Sequence, residues 1–189
     1  MKYMKIIDAH THIDYITPNF QKDVVGCICC AAQESAWQKM IDLIKVDKRV
    51  YGAFGVHPWF VDGIDDDFDI KLKLLLQNDS IYMVGEIGLD KYKPYMEKQE
   101  EVFIKQFNIA VKLKRIVCLH CVGAWDKILH ILKIAYPAFY SKMSKSGMVD
   151  TVALWSTMFV DEQFGIVQAA VYDLIQTHSG YPPEIADVK

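Results

Sequence analysis

Four short stretches of the chain carry residues able to hold a divalent ion. In Asp8-Ala9-His10-Thr11-His12 the two histidines are two residues apart. Alternate residues of an extended strand face the same way, so His10 and His12 project together and can chelate one ion through two imidazoles. Gly55-Val56-His57-Pro58, Val84-Gly85-Glu86-Ile87-Gly88-Leu89-Asp90 and Leu119-His120-Cys121 each end a strand-like run and place a histidine or a carboxylate there. Glu86 stands among Val84, Ile87 and Leu89, where a carboxylate is costly unless it is paired or metal-bound. A lysine partner and a metal ion both remain open for it, and its glycine neighbours leave room for close approach of an ion or substrate. Asp90 reads as support for the loop after its strand, and His130 in Lys127-Ile128-Leu129-His130-Ile131-Leu132 reads as a helix-surface histidine.

The elements that must position these groups follow from hydrophobic period. Strand character runs over Met4 to Ala9, Val24 to Ala31, Val50 to Val56, Ile81 to Ile87 and Ile116 to Leu119. Helical spacing separates them: Trp37, Met40, Ile41 and Ile44; then Phe68, Leu72 and Leu75 after an acidic turn at Asp65, Asp66 and Asp67; then Phe103, Phe107, Ala110 and Val111; then Trp125, Ile128, Leu129 and Leu132. Ala138 to Met143, Leu154 to Val160 and Val171 to Thr177 read as strands six to eight. Alternating strands and helices imply parallel pairing with right-handed crossovers. Up to eight such units predict a compact α/β fold of the TIM-type (β/α) barrel class, as one domain over residues 1–189, with an open doubly wound sheet as the structural alternative. Such barrels commonly need about 250 residues and rarely fewer than about 200. At 189 residues, the expectation is either a missing final helix or very short loops.

Composition narrows the function classes. Apolar residues make up 52% of the chain and charged residues 24%, with a net charge of −3. This is ordinary for a globular protein and gives no bulk attraction to nucleic acid. Only Arg49 and Arg115 among the basic residues are arginines, which disfavours dense bidentate phosphate clamping. The N-terminus has neither the apolar core nor the cleavage site of a secretory signal, and no apolar run is long enough to span a bilayer, so a cytoplasmic setting is expected. Cys27, Cys29, Cys30, Cys118 and Cys121 are odd in number and lack zinc-ribbon spacing. Buried reduced thiols are expected; Cys118 and Cys121 flank His120 and could line a site, with packing the preferred reading.

Taken in order, Ile7-Asp8-Ala9-His10-Thr11-His12, Gly55-Val56-His57-Pro58, Gly85-Glu86-Ile87-Gly88-Leu89-Asp90 and Leu119-His120 make the chain resemble the TatD-like hydrolases of the metal-dependent amidohydrolase superfamily. The resemblance is clear to about Leu132. It implies a TIM barrel with one or two divalent ions (magnesium, manganese or zinc) and metal-assisted hydrolysis of phosphodiesters, with DNA or a small phosphodiester as substrate. It carries over His10 and His12 to one ion, Glu86 to a bridging or binding role, His120 to the second ion, and His57 to the site lining, against the substrate.

The last third departs from that pattern. Tyr140 to Gly147 stands where the family has a strand-six histidine, and contains none. The family's strand-eight Glu-Thr-Asp is best matched by Gln176-Thr177-His178, which puts His178 in the place of an aspartate that holds metal and orients water. His178 can bind metal and accept a proton, so Glu86 and His178 are the catalytic candidates, but an imidazole adds no negative charge. One well-held ion and a weaker second are expected, with hydrolysis slow or lost. The competing expectation is a non-catalytic paralogue that binds a ligand, nucleic acid or protein.

Overall fold

The computed structural model describes residues 5–12, 23–78, 81 and 83–135. They form five strands, β1 (Ile6–Thr11), β2 (Val24–Ala31), β3 (Val50–Phe54), β4 (Met83–Asp90) and β5 (Ile116–Val122). Four helices, α1 (Trp37–Val46), α2 (Phe68–Leu75), α3 (Met96–Leu113) and α4 (Trp125–Ala135), follow β2, β3, β4 and β5. Every strand pair is parallel and the order is β1-β2-β3-β4-β5. An open doubly wound sheet would reverse its order part-way; an order that simply follows the chain is that of a barrel wall. The sheet also curls. Cys118 on β5 lies 3.5 Å, sulfur to Nδ1, from His10 on β1, across three intervening strands. The fold is therefore α/β, a curled five-stranded parallel arc of a TIM-type barrel.

Side chains divide by parity between the two faces. Phe54, Val56, Val84, Ile87 and Leu89 pack outward with Phe68, Leu72, Val102, Phe103 and Phe107 from the helices. Cys30, Ala53, Met83 and Cys118 form a smaller cluster on the concave side. Burying side chains of this size contributes about 1.5–3 kcal/mol each, so the helix layer fixes the curvature. On α3 the expected apolar face is right at Phe103, Phe107 and Ala110, but Val111 is 41% exposed. One step of about 100° past Ala110 carries it off the packed stripe.

Four strands depart from the sequence expectation at their ends, and β1 is one of them, running on past Ala9 to Thr11. β3 stops at Phe54, because Val56 turns its N–H and C=O to the Gln106 side chain instead of a neighbouring strand. β4 starts at Met83 and runs through to Asp90, and β5 continues to Val122, its pair. A 3-10 turn, Pro58–Gly63, also precedes α2. The regions expected as strands six to eight lie outside the described residues.

β4 and β5 carry the irregularity that matters most. Val84 pairs with Val117 but Ile87 with Leu119, so β4 has one more residue than β5 over this stretch. Such a bulge re-aims side chains. Strict alternation would point Glu86 the same way as Val84, into the helix layer; the extra residue turns it to the concave face. The strands close tightly beside it. At Gly88, with φ of 149°, an added Cβ would sit 1.8 Å from the carbonyl oxygen of His120. Gly88→Ala should therefore push β4 from β5 and cost more than about 2 kcal/mol, seen as a lower urea midpoint. An unchanged midpoint would show that this close approach is not needed.

Candidate metal centre

The concave face brings five of the expected residues together, His10, His12, His57, Glu86 and His120, towards the C-terminal ends of the strands. Glu86 is 3% exposed. Its Oε2 lies 3.4 Å from His10 Nε2 and 3.1 Å from His12 Nε2, while its Oε1 lies 3.1 Å from His120 Nδ1. Glu86 thus sits between two nitrogen groups, one from β1 and one from β5. His10, His12 and Glu86 form one cluster of potential ligand atoms; His57, Glu86 and His120 form another.

Hydrogen bonding fixes which ring nitrogens face the centre. The Nδ1 of His12 is 3.1 Å from the carbonyl oxygen of Cys30. A carbonyl only accepts, so Nδ1–H donates and the lone pair of a neutral ring lies on Nε2. That lone pair, the Glu86 carboxylate and the Nε2 of His10, 3.0 Å from that of His12, converge on one point. Such a convergence of acceptors needs positive charge, either a proton or a metal ion. Two ligands held about 2.0–2.1 Å from one ion stand about 2.9–3.4 Å apart in octahedral or tetrahedral geometry. The spacings at His10, His12 and Glu86 match that range, so the residues fit a divalent ion.

Without metal, protons do the compensating. Burial opposes the imidazolium at His10, yet contacts with Cys118 and Glu86 push it up to about 10. Hydrogen bonding to Glu86 likewise raises His12. Burial alone would raise Glu86, but His10, His12 and His120 hold it far below the usual carboxylate range.

His57 behaves differently. Burial and the neighbouring His120 lower it to about 3, so it is neutral. Its Nδ1 accepts from the Trp59 backbone N–H at 3.2 Å, which leaves its proton on Nε2, pointing at His120 Nδ1 3.0 Å away. His120 in turn directs Nε2 toward Asp90 Oδ2 at 3.4 Å. Asp90 thus does more than support its loop: it takes N–H bonds from Tyr92 and the Trp59 indole and orients His120, as an outer carboxylate would for an imidazole that bound metal.

Residues 7–147 match the family profile described as TatD related DNase. The chain belongs to the TatD-related DNase family. It is 30% identical to the human 3'-5' RNA nuclease TATDN2 over 71% of this chain and 20% of that protein. It is 28% identical to an uncharacterized metal-dependent hydrolase of Methanocaldococcus jannaschii, over 70% of this chain and 57% of the relative. The crystal structure of YjjV, a TatD homolog from Escherichia coli K12, superposes with a TM-score of 0.62 at 27% identity, covering 68% of this chain and 55% of that one. The chain spans about half the length, or less, of these relatives. A second profile, that of an N-terminal domain from a different family, matches residues 126–189 and overlaps the TatD match over its first part.

In this TatD-family chain several residues around the centre escaped sequence reasoning. Gln106 on α3 holds both the N–H and the C=O of Val56, at 2.7 and 3.1 Å, and so sets the backbone before His57. Gln99, seven residues earlier, does the same for Asp90. The available signal was two glutamines one heptad apart, on the face that also carries Val102, Phe103 and Phe107. Cys30 and Cys118 were read as packing, yet both sulfurs lie against His10 Nδ1. Burial disfavours a thiolate on either, but Cys30 donates to Cys118, which raises Cys30 and, with His10, lowers Cys118. His178 lies outside the described residues. His130 is exposed on α4. Glu34, Asp65 and Asp67 also cluster, but Lys71 already binds all three at 2.6–2.8 Å.

His57 gives a pH signature to metal-free protein. Its folded pKa is below the unfolded value of about 6.5, so the unfolded chain takes up a proton that the folded one refuses. This part of the stability is whole above pH 6.5 and is lost as pH falls towards 3. His57→Gln should flatten that acid limb in a series of urea titrations; an unchanged slope would contradict a buried neutral imidazole.

Proposed function

We propose that this chain is a metal-dependent hydrolase of phosphodiester bonds in nucleic acid, with DNA the first substrate to test. The observation that carries the reading is the placement of Glu86, whose two oxygens face separate imidazole groups 3.1 Å away on either side. We assign His10, His12 and Glu86 to one divalent ion and Glu86 with His120 to a second, weaker position. Bound there, such ions would polarise a phosphoryl group and make water a usable nucleophile near neutral pH.

The chain's own residues supply the rest. The Cys30 carbonyl and Asp90 hold the rings of His12 and His120 in orientation. With His120 Nδ1 given to an ion, the Nε2–H of His57 that now points at it would be a neutral donor for a phosphate oxygen of the substrate. Trp59, 52% exposed, and Lys93, whose Nζ is 4.0 Å from the Trp59 ring, stand beside His57. An aromatic face with a cation suits a nucleotide strand. His178 as a further ligand and proton acceptor belongs to this proposal too, as does the choice among magnesium, manganese and zinc. No helix among the described residues is long and apolar enough to cross a membrane.

The chain's extent has two readings. A single domain over residues 1–189 is one. The match of residues 126–189 to a different family favours the other, in which the barrel portion ends near α4.

Single-turnover cleavage of end-labelled single-stranded DNA, with each of the three metals, tests the activity. Wild type should cleave, EDTA should abolish cleavage, and Glu86→Gln should slow it at least about a hundredfold with circular dichroism unchanged. Binding of the DNA without cleavage in any metal would favour the non-catalytic reading instead.

A further inference from the structure

A further cluster of potential ligand atoms shares His10 with the carboxylate centre. Cys30 Sγ and Cys118 Sγ are 3.5 Å apart, and each faces His10 Nδ1, at 3.6 and 3.5 Å. Both cysteines are fully buried. They come from β2 and β5, opposite sides of the arc, and meet only because the sheet curls. Around them the described residues of the concave face are apolar, with Ala53, Met83, Ile28 and Ile116, and Glu86 faces the other nitrogen of His10.

We propose that Cys30, Cys118 and the Nδ1 of His10 form a separate, thiophilic metal site for an ion of the zinc class. Zinc binds sulfur at about 2.3 Å and nitrogen at about 2.0–2.1 Å, so tetrahedral ligands stand about 3.8 Å apart for two sulfurs and about 3.6 Å for sulfur and nitrogen. The observed triangle has those dimensions to within about 0.3 Å. Two thiolates and an imidazole select soft or borderline ions over magnesium and manganese. Loading requires both sulfurs and the Nδ1 of His10 to be free of protons, so whatever protons these three atoms hold are released to solvent. Of the three ligands only His10 is partly open to solvent, its side chain being 19% exposed.

Sharing His10 couples this site to the carboxylate centre. A neutral imidazole has one lone pair. When Nδ1 binds at the sulfur side, the ring proton lies on Nε2 and is donated to Glu86 Oε2, 3.4 Å away. His10 is then lost to the ion beside His12. A thiophilic ion therefore weakens binding at the carboxylate centre, and the reverse holds equally. The site itself does not depend on the chain being a hydrolase, because two of its three ligands take no part in that reading.

Cobalt(II) titration of the full chain, after chelator treatment and reduction, tests this. Wild type should show strong thiolate-to-cobalt charge-transfer absorption in the near ultraviolet, lost in Cys30→Ser and in Cys118→Ser, and kept in Cys121→Ser. Glu86→Gln should retain it, which separates failure of this site from failure of the hydrolytic one. Cadmium NMR of wild type covers the case of a variant that does not fold: the resonance should fall in the range of mixed sulfur and nitrogen ligation. Absence of charge-transfer absorption, its survival in a folded Cys118→Ser, or a cadmium resonance in the oxygen-only range would each overturn the proposal.

Discussion

Glu86 is a carboxylate taken almost wholly out of water, and a buried negative charge is stable only with a compensating positive one. The surrounding structure is organised around that requirement. Imidazoles approach it from β1 on one side and from β5 on the other. In metal-free protein His10 and His12 answer it by holding protons more tightly than usual. On the reading proposed above, a divalent ion would answer it better, since it would meet three converging lone pairs at once. Protons and metal would then compete for the same rings, and loading the centre would also be a deprotonation.

Two backbone devices meet the constraint. The extra residue in β4 turns Glu86 from the helix layer to the concave face, and the close passage at Gly88 brings His120 up to it. The supporting layer lies one step further out. Gln106 and Gln99 reach from α3 to the ends of β3 and β4, so the helix that covers the barrel wall also sets the loops bearing His57 and Asp90. The polar groups of α3 and its apolar stripe therefore act on the same object. Packing holds the helix, and the helix holds the site.

Much of this was legible in the sequence. Period-two and helical spacing located all five strands and four helices of the described residues, and the strand-end positions of His10, His12, Glu86 and His120 pointed to one mouth. The strand ends were harder. A strand reads by alternation, and alternation gives no sign that Val56 gives its backbone to a glutamine, or that β4 carries a bulge. The direction of Glu86 was illegible for the same reason, since parity with Val84 points it the wrong way. Cys30 and Cys118 are 88 residues apart, and only the curl of the sheet makes them neighbours. Beyond α4 the family's motifs are missing from the sequence, and the second family match begins at residue 126.

The central claim is that β1 imidazoles and the β4 carboxylate share one ion. Anomalous diffraction from crystals of the full chain grown with manganese, a metal the thiol pair would not select, addresses it directly. The account predicts a peak within about 2.0–2.3 Å of His10 Nε2, His12 Nε2 and Glu86 Oε2 together. A peak confined to the Glu34, Asp65 and Asp67 cluster, or none at all, would contradict it.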